Sequence, residues 1–239
     1  MSQITQPGTR FVLAQSMMPV VRLSSGTMDN TTGSLSGLTA LSFQPSGVTR
    51  VIAATSAGLV AGTTYYGVWS STTAVQLYTD IGATTQVSGT TAGAYANSTS
   101  EMIAKTIAIP ANCMGANGRL TVKATFQVTN NANSKTLRVR FGAAGSGTGG
   151  TTVCSTSSAS TVNISILIDI GNRNATNIQI PSSSSMSGPF GSTAVALVPT
   201  AVDTTAASEI NLCCTTAVAT DLVVLEQFSV ELVPWSTVN

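Results

Sequence analysis

The sequence predicts an all-β protein in which a small N-terminal β-domain precedes a jelly-roll-like β-sandwich. Only 8% of the 239 residues are charged, whereas an exposed helix face usually needs Glu and Lys. Thr and Val, which fit a pleated strand surface, are abundant. Apolar and polar residues also alternate with period two over several stretches, with Gly, Ser or Asn between them. This spacing is typical of sandwiches and jelly rolls.

The clearest strands lie in the second half of the chain. Residues 119–128 alternate between an apolar and a polar face, and residues 135–141 do the same. The segment NNANS between them has turn chemistry, so we predict that the two strands pair as a hairpin. Further alternating stretches follow at 160–172, 209–214 and 221–233.

The first half is less regular, and a linker is predicted between the halves. Short strands are expected at 21–25, 50–54, 65–70 and 74–80. The segment 86–100 is rich in Gly, Ser and Thr, as linkers are. The predicted organisation is an N-terminal arm at 1–20, a β-domain at 21–90, a linker at 91–100 and the sandwich at 101–239. An arm without apolar periodicity is ordered mainly when a neighbour holds it.

Composition argues against several classes of function. Ten basic and nine acidic residues give a net charge of +1, so binding to nucleic acid is not expected. No apolar run is long enough to span a bilayer, so no membrane insertion is expected. Histidine is absent, which excludes Ser-His-Asp and Cys-His catalysis and the usual metal ligand. No cofactor or metal is expected. The cysteines are predicted to be free thiols of a protein made in a cytoplasm: Cys113, Cys154, Cys213 and Cys214.

Two groups of residues are candidates for contacting a partner. Tyr65, Tyr66, Trp69 and Tyr78 cluster in the first half, and such rings offer flat apolar faces with polar edges. The alternative is that they form the core of a domain with few large side chains.

Arg138 and Arg140 form the second group. If the predicted hairpin pairs, they share a basic strip with Arg119 and Lys123 that suits an acidic neighbour or an anionic glycan. The alternative is that these charges are solubilising and guard the sheet against edge pairing.

Catalysis by carboxylates alone is a further hypothesis. Asp169 and Glu226 lie inside apolar strand segments, where burial could raise a carboxyl pKa. The structural alternative is that Asp169 faces away from the isoleucines of its strand and that a bulge turns Glu226 outward. The glycine-rich segment 145–150 does not match a phosphate-binding loop, so we expect a mobile loop.

Several motifs resemble those of tailed-bacteriophage virion structural proteins. The segment TIAIPANCMGANGRLTVKATFQVTNNANSKTLRVRFG, followed by GNRNATNIQI, is similar to the C-terminal β-sandwich domain of these proteins. The first half also resembles the module that often precedes it, in SSGTMDNTTGSLSGLTAL and AGLVAGTTYYGVWSSTTAVQLYTD. The resemblance covers residues 20 to 235 and implies a head-fibre, decoration or tail-fibre component without catalytic residues.

These observations lead to an expected function. We expect a non-enzymatic virion protein, made in the host cytoplasm, that binds other virion proteins of the capsid or tail. A homo-oligomer such as a trimer, or an array on a symmetric lattice, is expected, because repetition multiplies a weak contact. The competing expectations are capsid decoration, a tail-associated fibre or tip that contacts a host glycan or protein, and an acid-only glycan hydrolase.

Overall fold

The computed structural model describes residues 10–16, 18–29, 31–40, 44–88, 92–182 and 199–234. These residues form β-strands and one 3₁₀ turn, which confirms the all-β class. The strands are β1 (Phe11–Ser16), β2 (Val20–Arg22), β3 (Gly26–Asp29), β4 (Ser34–Ser36), β5 (Val48–Ile52), β6 (Tyr65–Ser71), β7 (Ala74–Tyr78), β8 (Gly93–Tyr95), β9 (Met102–Ile109), β10 (Arg119–Val128), β11 (Lys135–Ala143), β12 (Thr151–Ser158), β13 (Asn163–Asn172), β14 (Gln179–Pro181), β15 (Ser208–Thr216) and β16 (Val223–Val233).

The described strands form two sheets. The large sheet has the order β14-β13-β10-β16-β2-β5-β6-β7-β4-β3-β8, and β1 pairs with β16 beside β2. The small sheet has the order β12-β11-β15-β9. The large sheet therefore runs without interruption from the second half of the chain into the first, because β16 pairs with β2 and β2 pairs in parallel with β5.

The small sheet packs on one face of the large sheet and encloses the C-terminal core. This core contains the inward-facing residues of both sheets, among them Phe126, Leu137, Phe141 and Ile168. The alternation predicted for 119–128 and 135–141 is confirmed, since the apolar positions of both strands are buried. The result is a sandwich-like two-sheet fold, whereas the jelly-roll form of the prediction is not confirmed.

A second hydrophobic core lies on the opposite face of the large sheet. This N-terminal core contains the inward-facing side chains of β2 to β8, with Val21, Trp69 and Tyr95 among them. Neighbouring residues of β2 enter different cores: Val20 packs in the C-terminal core and Val21 in the N-terminal core. Because successive side chains of a strand point to opposite faces, one sheet serves both cores.

The predicted hairpin of residues 119–128 and 135–141 is wrong. Strand β10 pairs with β13 and β16 in the large sheet, while β11 pairs with β12 and β15 in the small sheet. The loop between them crosses from one sheet to the other. Lys135, at the start of β11, holds this loop: its fully buried side chain donates to Asn131 Oδ1 at 2.6 Å and to the Asn133 carbonyl at 2.8 Å.

Two segments differ from the predicted organisation. The expected linker contains β8, where the Tyr95 ring fills the N-terminal core and its hydroxyl accepts a hydrogen bond from the Ala54 amide at 2.8 Å. The expected arm contains β1, which pairs with β16 through residues 11–16. Residues 1–9 of that arm lie outside the described part of the chain. The strands predicted at 50–54, 65–70 and 74–80 are confirmed as β5, β6 and β7 within one to two residues at their ends.

Candidate functional site

The four aromatic residues divide between the two faces of the large sheet. Tyr65 and Trp69 are 5% and 4% exposed and belong to the N-terminal core. The Tyr65 hydroxyl accepts a hydrogen bond from the Val60 amide at 3.0 Å, and Trp69 Nε1 donates to Thr49 Oγ1 at 3.1 Å. The core alternative is therefore correct for these two side chains.

Tyr66 and Tyr78 lie on the other face, where both are half-buried. Strand register places Tyr66 directly opposite Tyr78 on β7 and directly opposite Arg50 on β5. Side chains directly opposite on neighbouring strands have Cβ atoms about 5 Å apart, so Arg50, Tyr66 and Tyr78 form a continuous row across three strands. We call these three residues the tyrosine row. Sequence reasoning missed Arg50, because nothing local shows which strand lies beside Tyr66.

Strand β9 of the small sheet forms a wall next to this row. A depression of about 370 Å³ lies between β9 and the Arg50 end of the row, lined by Arg50, Ile103, Ala104, Lys105 and Thr106. The Lys105 ammonium also lies over the Phe228 ring, 5.8 Å from its centroid, which is a cation–π distance. Two basic side chains therefore line the depression, and the tyrosine row continues from one of them, Arg50, to the two tyrosines. We call the depression and the row together the corner.

Arg138 and Arg140 both form ion pairs with Glu101 of the same chain. Arg140 Nε and Nη2 donate to the two Glu101 oxygens at 2.8 and 2.7 Å, and Arg138 Nη1 lies 3.5 Å from Glu101 Oε2. The hydrogen bonds from Arg140 hold the pKa of Glu101 below its ordinary value. This bidentate pair lies over Cys213, which is fully buried and directly opposite Arg138 in the sheet.

The predicted basic strip does not form. Arg138 and Arg140 are on the small sheet, whereas Arg119 and Lys123 are on the large sheet with carboxylate partners of their own. Arg119 lies 3.7 Å from Asp169, and Lys123 Nζ lies 3.1 Å from Glu231. The strip was predicted from a hairpin that does not form. Because β10 and β11 belong to different sheets, the basic residues of the two strands lie apart.

Asp169 and Glu226 do not form a catalytic pair. Asp169 lies opposite Thr121 and accepts a hydrogen bond from its hydroxyl at 2.5 Å. Glu226 lies at a bulge opposite the step from Thr125 to Phe126, as the structural alternative predicts, and accepts a hydrogen bond from Gln127 Nε2 at 3.1 Å. Burial raises the pKa of Glu226. The offset along β10 is roughly 15 Å, more than the separation of about 5 to 9.5 Å that glycosidase carboxylates need.

The glycine-rich segment 145–150 surrounds a carboxylate of this chain. The Gly145 amide donates to Glu209 Oε2 at 2.8 Å, and the Gly147 amide donates to Oε1 at 2.7 Å. Asn211 Nδ2 donates to the same Oε1 at 2.8 Å. The expectation of a free mobile loop is therefore wrong, since Glu209 ties this segment to β15.

The motif segments at 109–118 and 171–177 pack against each other. Asn172 Nδ2 donates to the Gly115 carbonyl at 2.5 Å, and the Asn174 amide donates to Asn117 Oδ1 at 2.7 Å. Gln179 Nε2 in turn donates to Asn172 Oδ1 at 2.9 Å. The asparagines of both motifs therefore have structural partners within the protein.

The thiols are poor nucleophiles and poor metal ligands in this arrangement. Cys154, Cys213 and Cys214 are buried, Cys113 is partly buried, and all four are free. Burial raises the pKa of Cys154 and of Cys214 to about 11 and that of Cys213 to about 12. Over the described ranges, no group of three Cys, Asp or Glu side chains comes close enough to hold a metal ion. Those ranges also contain no helix with the length and apolar character needed to cross a membrane.

Comparison with known proteins identifies no relative. No family model, no curated protein and no solved structure matches the chain.

Proposed function

We propose that this protein is a non-enzymatic structural component of a tailed-bacteriophage virion that attaches to the capsid surface as a decoration, head-fibre or cement protein. The motif resemblance described above supports the class. In this proposal the partners are other virion proteins and further copies of the chain, which would form a closed symmetric assembly such as a trimer.

The observation that carries the proposed mode of attachment is the internal pairing of charges. Six of the ten basic residues form ion pairs with acidic residues of the same chain: Arg10, Arg119, Lys123, Lys135, Arg138 and Arg140. A surface with few unpaired charges binds a neighbour mainly through shape and apolar area, and salt screens such contacts little. Exposed apolar side chains are available on it, including Val12 (56% exposed), Leu167 (42%) and Ile178 (44%).

The test is localisation of the chain on intact virions by immunogold labelling or cryo-electron microscopy. Label distributed over the head would support capsid decoration. Label confined to the tail would overturn decoration in favour of the second candidate below. Absence of the chain from purified virions would overturn the virion assignment altogether.

An N-terminal deletion tests whether the arm anchors the protein. Residues 11–16 and 20–22 are strands of the large sheet, so a deletion of residues 1–20 would damage the fold itself. Deleting only residues 1–9 is the informative change, and we expect it to abolish incorporation into particles while leaving the urea unfolding midpoint unchanged. Normal incorporation of this variant would contradict an anchoring role for the arm.

A tail-associated fibre or tip that contacts host glycan is the second candidate. The outward position of Tyr66 and Tyr78 favours it, because flat aromatic faces at a surface suit sugar rings. An acid-only hydrolase has no such support, since Asp169 and Glu226 are far apart.

A further inference from the structure

Four of the ten basic residues form no ion pair with an acidic side chain of the chain, and two of these four lie together at the surface. All nine acidic residues lie in the described part of the chain, and none of them forms an ion pair with Arg22, Arg50, Lys105 or Arg173. Arg22 is fully buried and donates to the carbonyls of Asp221 and Ser98, so it is not available to a ligand. Arg50 and Lys105 line the same depression, whereas Arg173 is exposed on a loop after β13. Two neighbouring cations without a carboxylate partner repel each other, so an anion placed between them gains from both.

The same depression joins the tyrosine row at Arg50, which belongs to both. Arg50, Tyr66 and Tyr78 are consecutive members of the tyrosine row, so the basic end of the row points toward β9 and the aromatic end points away from it. The row spans about 10 Å, because neighbouring strands lie about 4.8 Å apart. A ligand that fills it must carry a negative charge at one end and flat, partly apolar rings along its length.

We propose that this corner binds an acidic polysaccharide, with Arg50 and Lys105 holding a carboxylate of one sugar while Tyr66 and Tyr78 stack against the adjoining rings. A uronic or sialic acid residue meets both requirements, since its carboxylate accepts hydrogen bonds from a guanidinium and its ring has an apolar C–H face. An acidic peptide meets only the first, because it has no flat ring for the tyrosines. This proposal goes beyond the structural role and does not depend on where the protein lies on a virion.

The chain offers a matched control for the charge. Arg50→Gln combined with Lys105→Gln removes both cations of the corner and keeps side chains of similar length. Arg173→Gln removes an unpaired cation elsewhere. Tyr66→Leu tests the aromatic face separately, because leucine keeps apolar volume and loses the flat ring. Urea unfolding midpoints of all variants establish that the fold is retained.

The experiment is calorimetric titration of the purified full chain with oligogalacturonate and oligosialic acid. Methyl-esterified oligogalacturonate, neutral dextran and polyglutamate serve as comparison ligands. We expect at least one acidic oligosaccharide to bind, with an affinity that falls as salt increases. Esterification and the double Arg50→Gln/Lys105→Gln change should each weaken it by about tenfold or more. Tyr66→Leu should weaken it as well, and Arg173→Gln should leave it unchanged.

Three outcomes would overturn the proposal. The first is that neither acidic oligosaccharide binds at millimolar concentration. The second is that one binds but the Arg50→Gln/Lys105→Gln variant binds equally well, which would place the ligand elsewhere. The third is that polyglutamate binds as tightly as the sugars and Tyr66→Leu has no effect, which would make the corner a contact for an acidic protein.

Discussion

Replacing Lys135 with methionine tests the buried polar network where the chain crosses between sheets. The Lys135 side chain is fully buried, as is that of Asp221, whose Oδ2 lies 4.0 Å from the ammonium nitrogen. Lys135 Nζ donates to Asn131 Oδ1 and to the carbonyls of Asn133 and Ala159, at 2.6, 2.8 and 3.2 Å. Burial lowers the pKa of Lys135, and Asp221 opposes that change.

The expected cost follows from what Lys135→Met leaves behind. The methionine fits an apolar environment, but the Asp221 carboxylate then stays buried without its nearest cation, and Asn131, Asn133 and Ala159 each lose a hydrogen-bond donor. Removing one partner of a buried pair typically costs about 3 to 5 kcal/mol. We therefore expect the free energy of unfolding to fall by about 4 kcal/mol, a large share of the roughly 5 to 15 kcal/mol of a typical domain.

Lys123→Met is the matched control. Lys123 lies closer to its acidic partner, at 3.1 Å from Glu231, but its side chain is 49% exposed. Exposed pairs are worth about 0 to 1 kcal/mol, so this change should be nearly neutral. If burial decides the loss of stability, Lys135→Met costs more than Lys123→Met. If the distance between the charges decided it, Lys123→Met would cost more.

Urea unfolding followed by fluorescence and circular dichroism measures both variants. Equal slopes for wild type and variants would allow the midpoints to be compared as stabilities. A loss below about 1 kcal/mol for Lys135→Met, or an equal loss for Lys123→Met, would refute the reasoning. The double variant Lys135→Met/Asp221→Asn should recover part of the loss, because it removes the uncompensated charge.

Three further changes have defined outcomes. Gly118→Ala should lower the free energy of unfolding by about 3 kcal/mol, because a Cβ there would lie 1.9 Å from the Met114 carbonyl oxygen. A urea midpoint equal to that of wild type would contradict this. Arg140 lowers the pKa of Glu101 from 4.5, so the pair stabilises the fold above pH 4.5, and this contribution is lost as pH falls through the lowered pKa of the folded state. Urea midpoints of wild type should therefore fall more steeply between pH 6 and 3 than those of Glu101→Gln, and parallel curves would count against the pair. Glu101→Ala, which removes most of the covering side chain, should uncover Cys213, so that a thiol reagent labels it in the native protein, while wild type reacts there only when unfolded. Identical labelling of both would show that Glu101 does not cover the thiol.

The partition of the aromatic residues shows how much local pattern can establish about a site. Tyr65 and Trp69 are four residues apart, an even number, whereas Tyr66 is one residue from Tyr65, so alternation alone places Tyr66 on the face opposite the other two. The structure agrees with that partition. Alternation leaves open which face is solvated, because the large sheet has a core on each face in different regions.

The fate of the arginines shows where local pattern fails. Arg138 and Arg140 were correctly placed on the outward face of their strand, as their partial exposure shows. Their partner, Glu101, lies 39 residues from Arg140 in the chain. Glu101 directly precedes β9, the edge strand of the same sheet, and β15 lies between β9 and the strand β11 that carries both arginines. No local signal connects these positions.

The sequence by itself determined the all-β class, the positions of the five longest strands and the buried side of three of them, β10, β11 and β13, whereas β9 and β12 were not predicted. These follow from a period-two pattern, and burying one face of a strand is a local requirement that each stretch meets on its own. Only the tertiary structure decided which strands are neighbours. Backbone hydrogen bonds are the same for any sequence, and a short polar loop such as that after β10 joins strands within a sheet or across two. That choice separated the expected basic strip, brought Arg50 and Lys105 to one depression, and placed Arg50 in a row with Tyr66 and Tyr78.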